Sequence, residues 1–351
     1  MIVNIAQYGA RHRYLIPQIL NQHNILGKLY TDSHKESLLG KLCQFLKWIG
    51  IKNSSINRLA SRSTNISSSH IISSDSWQLK LQWARILQTR DKILEITYQG
   101  GTKKFCRNGI FGDWLYAMYF ENIGFTEYAK LCGVKIVADI YENPYIFKTL
   151  SAELETIPEY KSIQYLKSAI VAEEKLREKY LDRIIKVADV FLVPSEYVLN
   201  ALKVNPYFNI KKAVVIPYIS SVNNNILSNN PIPGRIIWIG NDPVRKGLVY
   251  ALRAFHELKK AFPYLEFRVI GPVPEEIKHD KNFDDVHFTG YLNKNQLIAE
   301  LKQADVYVFP TLAEGFAGTL LEAAAFGVPI ITTHASGFPQ DAPCLFVETK
   351  N

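Results

Sequence analysis

The strongest constraint on the fold is a run of short apolar segments in the second half of the chain. Arg235–Gly240, Leu265–Gly271, Val286–Gly290, Val306–Pro310 and Val328–Thr332 are each five to seven residues long and mostly apolar. That length fits a strand buried on both faces and is too short for a typical helix. Between them, Leu248–Phe262, Gln296–Gln303 and Leu320–Phe326 read as helices. Strands that alternate with helices imply parallel sheets covered on both faces.

The same rhythm opens the chain. Ile2–Ala6 reads as a strand ending at Tyr8-Gly9-Ala10, with a helix through Ile16–Ile25 behind it. Gly133–Ile140 reads as a strand after a helix through Tyr128–Leu131, and Glu153–Lys186 is helical and highly charged. Asp189–Ser195 and Ala213–Pro217 are further strands, and Asn53–Ser76, rich in Ser and Asn, reads as a long loop. Ser220–Pro233 is full of Asn, Ser and Pro and is taken as a linker. The expected fold class is therefore α/β, with two doubly wound domains at 1–219 and 234–351 joined by 220–233. A length of 351 residues suits two domains. Ligands of such folds bind at the carboxyl ends of the strands, and a cleft between two such domains is the natural site.

Composition narrows the function classes. Hydrophobic residues make up 47% and charged residues 21%, which excludes a disordered, collagen-like or disulfide-dense chain. The 41 Lys and Arg against 33 Asp and Glu leave +8, a balance that suits anionic partners. No compact basic stripe interleaved with aromatics accompanies it, so nucleic acid is not expected. Cys43, Cys106, Cys132 and Cys344 are scattered without CxxC spacing, which fits a reducing compartment better than a metal or disulfide framework. No signal peptide and no apolar run of spanning length is visible, so the expected location is cytoplasmic or peripheral on the inner face of a membrane. Ser37–Lys52 bears on the second option. Leu38, Leu39, Leu42, Phe45, Leu46 and Ile49 fall at helical spacing, with Trp48 nearby and Lys41, Lys47 and Lys52 at the borders. Such a helix either packs half buried on its own domain or lies in an anionic membrane interface.

Two segments carry chemistry. In Pro310–Pro329 a strand ends, a loop bearing Glu314, Gly315 and Gly318 leads into a helix near Thr319, and Gly327 closes that helix. Unpaired N–H groups at a helix start favour an anion, and glycines let a ligand approach the backbone. Thr319-x-x-Glu322 also has the form of a capping box, so Glu322 either ties down its own helix or faces a ligand. In Trp238–Gly247 the adjacent Arg245 and Lys246 sit at another strand end and could neutralise a phosphate pair.

Together these segments resemble the C-terminal domain of retaining GT-B glycosyltransferases of family 4, the group 1 glycosyl transferases. Glu314-x7-Glu322 resembles the E-x7-E motif of that family, and Gly240-x5-Lys246-Gly247 its G-x5-K-G loop. Phe288-Thr-Gly290-Tyr291 resembles its F-x-G-Y turn, and Ala304–Pro310 its A-D strand ending in Pro. The resemblance implies two Rossmann-like domains facing each other across a cleft, and transfer of a sugar from a nucleotide-diphosphate sugar with retention and without a metal or other cofactor. It implies that Lys246 binds the diphosphate, Glu322 the ribose and Glu314 the transferred sugar. Gly315 would let the donor approach, Phe316, Ala317 and Gly318 would offer N–H groups to the sugar, Thr319 and Leu320 would offer theirs to phosphate, and Gly290 and Tyr291 would lie near the base.

The departures matter equally. Asn241 stands where members often carry Arg, with Arg245 as the candidate substitute, and where many members have a His, either Tyr141, Glu142 or Asp139 takes its place near the reacting sugar or the role is absent. The chain stops soon after Cys344–Glu348, where members continue, so a truncated second domain is expected. Gly9, Ala10, Arg11 and His12 are the acceptor-side candidates, for a glycan or lipid-linked saccharide. The alternative is a non-catalytic nucleotide- or carbohydrate-binding protein on the same scaffold.

Overall fold

A computed structural model of the chain describes residues 1–87, 90–164, 167–219 and 229–349. Two parallel sheets organise it. The first holds β1 (Val3–Ala6), β2 (Leu26–Thr31), β3 (Ile71–Ser73), β4 (Trp114–Met118), β5 (Lys135–Asp139), β6 (Val190–Val193) and β7 (Ala213–Val215), in the order β3-β2-β1-β4-β5-β6-β7. The second holds β8 (Arg235–Ile239), β9 (Glu266–Ile270), β10 (Val286–Gly290), β11 (Val306–Phe309), β12 (Ile330–Thr333) and β13 (Leu345–Val347), in the order β10-β9-β8-β11-β12-β13. The α/β, doubly wound class expected from the apolar rhythm is what these strand orders describe.

The chain divides into two compact units whose segments interleave. One comprises Met1–Ile140, Lys175–Leu192 and Asn205–Val214, and the other Tyr141–Glu174, Val193–Val204 and Val215–Asn351. The reason is visible in the second core. Leu150 and Leu154, on the helix Ile146–Leu154, join Trp238, Leu248, Leu252, Phe255 and Phe267 in one buried cluster. Burying side chains of this size contributes roughly 1.5–3 kcal/mol each, enough to hold that helix on the second sheet. In the first unit Tyr30, Phe105 and Phe125 form an aromatic group with centroid distances of 4.5 to 5.5 Å beside β4 and β5. Most of the expected linker, residues 220–228, lies outside the described residues. Its described end is anchored, because the N–H groups of Asn230 and Ile232 donate to the carbonyls of Lys302 and Gln303 at 2.7 and 3.0 Å.

Two local expectations are corrected. The helix expected at Ile16–Ile25 spans Leu15–Gln22, preceded by a 3-10 turn at Arg11–Tyr14. The stretch Asn53–Ser76, expected to be a loop, contains the helix Ser54–Ala60, the edge strand β3 and the start of the helix Asp75–Leu87. Asn53 nucleates the first of these, its side chain accepting from the N–H groups of Ser55 and Ile56, and Leu59 and Ala60 bury against Cys43. All four cysteines are free. Among the described residues no helix is long and apolar enough to cross a membrane.

Candidate functional site

Each sheet reverses its direction of growth once, between β1 and β4 in the first and between β8 and β11 in the second. At such a point the loops leaving two neighbouring strands diverge and open a crevice. The candidate residues gather at these two points.

In the second unit the loop after β8 carries Asp242, Arg245 and Lys246, and the loop after β11 carries Glu314. One carboxylate oxygen of Glu314 lies 2.6 Å from Arg245 Nη1 and 3.1 Å from Lys246 Nζ. All three side chains are largely buried, from 12% to 17% exposed, so the charges act with little solvent screening. Arg245 is held from two further sides. Its Nε donates to Asp242 at 3.1 Å and its Nη1 to the Ala313 carbonyl at 3.1 Å. Burial works against its charge, but Glu314 and Asp242 outweigh that and hold its pKa above the ordinary arginine value. Lys246 is less committed. Among the described residues its ammonium pairs with Glu314 alone, and it sits 4.8 Å from the Phe309 ring centroid. The sequence makes Arg245 a candidate phosphate ligand; the geometry makes it a brace, with Lys246 as the cation that has donors to spare.

The backbone around these groups is tightly tied. The Arg245 carbonyl accepts from Leu312 N–H at 2.8 Å and Thr311 Oγ1 at 3.0 Å, and Trp238 Nε1 donates to the Lys246 carbonyl at 3.0 Å. Gly247 follows in left-handed conformation with φ +67°, and a Cβ there would lie 1.9 Å from the Pro310 carbonyl oxygen. Gly247→Ala is therefore expected to cost about 2 kcal/mol through strain and overpacking, and to lower the urea midpoint measurably.

Tyr141 and Glu142 do come to this loop. A Cβ on Gly315 would lie 1.9 Å from the Tyr141 carbonyl oxygen and 2.8 Å from Glu142 Cα, so only glycine lets the two backbones pass. Asn143 N–H donates to the Glu314 carbonyl at 3.3 Å, and Ser195 Oγ donates to the Gly315 carbonyl at 2.7 Å. Asn143, Ser195 and Asp242 position the loop. The sequence reading touches Ser195 only as the end of an expected strand and Asp242 only as part of Trp238–Gly247.

The helix Gly318–Ala325 starts two residues earlier than a capping box would have it. Ala317 is the N-cap and Thr319 lies inside the first turn, its Oγ1 accepting from Tyr307 OH at 2.9 Å. Glu322 is thus not tied to the helix start. It makes no hydrogen bond to a described residue, and burial, partly offset by Lys294, lifts its pKa above the usual carboxylate range. Of the backbone donors expected here, Ala317 N–H is bonded to the Ser336 carbonyl and Leu320 N–H to the Ala317 carbonyl. Phe316 is buried just before the helix, while Gly318 and Thr319 head it, where N–H groups lack intrahelical acceptors. Nothing lies within 4 Å of where a Cβ on Gly318 would stand. Gly240 and Asn241 end β8, whereas Gly290 and the exposed Tyr291 end the edge strand β10, two strands away.

The first unit repeats the pattern with different residues. Glu121, from the loop after β4, accepts from Tyr8 N–H at 2.5 Å and from Arg11 Nη2 at 3.2 Å. Gly9 N–H donates to the buried Asp32, which pairs with Arg62 at 2.7 Å. Tyr116 OH donates to Asp139. Burial raises the pKa of Asp139, and Tyr116, Arg11 and His12 oppose that rise. His12, Arg13 and Tyr14 take φ values of +46°, +53° and +60°, a left-handed run costing about 1–2 kcal/mol per residue. Strain of that size marks a loop held in place by its surroundings. Ala10 precedes it, half-buried. The sequence singles out Gly9, Ala10, Arg11 and His12; Glu121, Asp32 and Arg62 carry no local signal. Among the described residues no group of three or more His, Cys, Asp or Glu is placed to hold a metal ion.

Comparison with known proteins places this geometry. Residues 233–351 match the family of glycosyl transferases group 1. The chain is 27% identical over 111 residues to a glycogen synthase of Mycobacterium tuberculosis, covering 30% of this chain and 27% of that protein. Among solved structures it is similar to WaaG, a glycosyltransferase involved in lipopolysaccharide biosynthesis, with TM-score 0.56, 14% identity, and coverage of 96% of this chain and 82% of that one. It is also similar to a trehalose-6-phosphate synthase studied for glycosyltransfer with retention, with TM-score 0.60, 10% identity, and coverage of 100% and 88%. The chain spans less than a third of the length of the first curated relatives it matches.

Proposed function

We propose that the chain, whose residues 233–351 match the glycosyl transferases group 1 and whose fold is that of GT-B proteins, moves a sugar from a nucleotide-diphosphate sugar to an acceptor with retention at the anomeric carbon. The observation that carries the proposal is the meeting of Lys246, Arg245 and Glu314 at the β8/β11 reversal, beside the open start of the helix Gly318–Ala325. The diphosphate is the part of the donor that gains charge as the glycosidic bond breaks. Lys246 and the N–H groups of Gly318 and Thr319 are fixed donors for it, and fixed donors stabilise the transition state more than the ground state. Arg245 keeps Glu314 in place, where its carboxylate can meet the sugar hydroxyls. Glu322, half-buried and without a hydrogen-bond partner among the described residues, suits the ribose hydroxyls. The two cations supply charge of the kind a divalent metal supplies elsewhere, and metal-independent transfer is part of the proposal.

On the first unit the acceptor reading rests on the strained loop Gly9–Tyr14. Burial and Asp32 raise the pKa of Tyr8, which stands just before that loop, and the charges of Arg85, Arg62 and Arg58 oppose the rise. That basic surround favours an acceptor carrying negative charge, such as a glycan on a lipid phosphate. Retention is the reported outcome for the trehalose-6-phosphate synthase of the same fold. We also infer that helix Leu38–Trp48 holds the protein on an anionic membrane surface, its exposed apolar residues being flanked by Lys41 and Lys47.

A panel of nucleoside diphosphates in a thermal-shift assay tests the donor site. One of them, at 100 times its dissociation constant, is expected to stabilise the fold by about 2.7 kcal/mol. Sugar transfer or donor hydrolysis with the matching nucleotide sugar supports the enzyme. Binding without turnover, with or without added divalent metal, supports the non-catalytic alternative.

A further inference from the structure

The first unit carries an apolar surface that sugar transfer does not use. The helix Leu38–Trp48 buries Gly40 and Cys43 and turns Leu38, Leu42, Phe45, Trp48 and the following Ile49 outward. Leu38 is 84% exposed and Trp48 80%. The helix Asp75–Leu87 does the same. It buries Trp77, Leu81 and Ala84 and exposes Leu79, Trp83 and Ile86, with Trp83 at 67% and Ile86 at 79%. Spacings of three and four residues put each exposed set on one helix face. Exposed apolar groups in this concentration mark an interaction surface.

The two helices leave one corner of the sheet. They follow β2 and β3, which are neighbours, with Thr31 paired to Ser73 at their carboxyl ends. Asp75 joins the two starts, accepting from Ser33 Oγ at 2.6 Å and from Leu39 N–H at 3.1 Å. The charge around them has one sign. Between Ser37 and Leu87 the sequence has seven Lys or Arg and a single acid, Asp75, which is engaged in that junction. Lys41, Lys47, Lys52, Lys80 and Arg85 make no ion pair with a described residue. A second copy of the chain is a poor occupant. A two-fold interface sets the same patch against itself, so these lysines would face lysines. Apolar faces with exposed Trp, bordered by unpaired cations, match the interface of an anionic bilayer.

We propose that helices Leu38–Trp48 and Asp75–Leu87 form a single two-helix docking surface for an anionic lipid bilayer, with Trp48 and Trp83 seated at headgroup depth. The inference rests on the membrane reading of helix Leu38–Trp48 and adds the second helix to it. Docking there would bring Arg85 and the acceptor-side loop near Tyr8 to the lipid surface together.

Co-sedimentation with vesicles tests it, using equimolar phosphatidylglycerol and phosphatidylcholine against phosphatidylcholine alone. The chain is expected to sediment with the anionic vesicles and to be released by salt. Because each large apolar side chain buried in the bilayer adds to binding, the pair variant Trp83→Ser/Ile86→Ser is expected to weaken partitioning by about tenfold or more. The set Leu42→Ser/Phe45→Ser/Trp48→Ser is expected to do at least as much. Brominated-acyl lipid should quench tryptophan emission in a Trp48→Phe background, and the part owed to Trp83 is the quenching lost on adding Trp83→Phe. Unchanged circular dichroism checks that the exposed substitutions leave the fold intact. If the Trp83/Ile86 pair binds like the parent and Trp83 is not quenched, the two-helix surface is wrong while the single-helix reading stands. If neither set changes binding, or the parent chain ignores anionic vesicles, both fail. A dimer dispersed by these same substitutions, in a chain that ignores vesicles, would name a second copy as the occupant and overturn the proposal.

Discussion

Replacing Lys246 by Ala is expected to lower kcat/KM for sugar transfer by about 10²–10³, a loss of about 3–4 kcal/mol, typical of removing one fixed charge donor at a site where charge develops. The partner experiment separates binding from chemistry. Glu314 holds one carboxylate oxygen against both Arg245 and Lys246, so in the free protein it competes for the cations a diphosphate needs. Glu314→Gln is therefore expected to bind a nucleoside diphosphate severalfold more tightly than the parent while transferring sugar more slowly. Lys246→Ala should weaken both properties. Titration calorimetry with the diphosphate, beside initial rates with the intact nucleotide sugar, reads the two effects separately. Equal loss of diphosphate affinity in both variants would mean that Glu314 only holds the loop together. Arg245→Lys supplies a further contrast, since a lysine cannot reach Asp242, Ala313 and Glu314 at once as the guanidinium does. That variant should lose turnover although its charge is kept.

How much of this can be read from the sequence depends on where the deciding contacts lie. The strands β8, β9, β10, β11 and β12 are legible because each is a short, mostly apolar run closed by glycine, proline or a polar turn and set off by a helical stretch or a loop. In the first unit β2 is hidden, since Gly27 and Lys28 interrupt its pattern, and β3 has three residues within a Ser-rich stretch. That short edge is stable only because β2 pairs with it, a contact some forty positions away in the chain. The site divides in the same way. Arg245, Lys246, Glu314 and Glu322 stand out by type and spacing. The residues that hold them do not, because Asn143 and Ser195 reach the Glu314 loop from more than a hundred residues away. The apparent capping box fails for a local reason. Thr319 has a nearer partner in Tyr307, and its hydroxyl is spent there.

The stability of the chain is expected to fall as pH rises from about 4.5 to 8, with Glu121 as one cause. Its carboxyl is buried beneath the acceptor-side loop, and burial outweighs the help of Arg11 and Tyr8 N–H, so its pKa rises from 4.5 to about 7. The folded state therefore holds this proton more tightly than the unfolded chain does. Its stabilising contribution is complete below pH 4.5, where both states are protonated, and disappears as pH passes 7 and the buried group must ionise. The gap between 4.5 and about 7 corresponds to about 3 kcal/mol, a large share of the net stability of a domain. Glu121→Gln removes the titration and keeps an oxygen that can accept from Tyr8 N–H. Urea midpoints measured across this range should slope downward in the parent and less steeply in the variant, the remaining slope coming from groups such as Asp139, whose burial acts in the same direction. A variant that keeps the full slope would show that Glu121 ionises freely in the folded protein. The strained left-handed run from His12 to Tyr14 would then owe its shape to Asp32 and Arg62, which fix Gly9 from the other side.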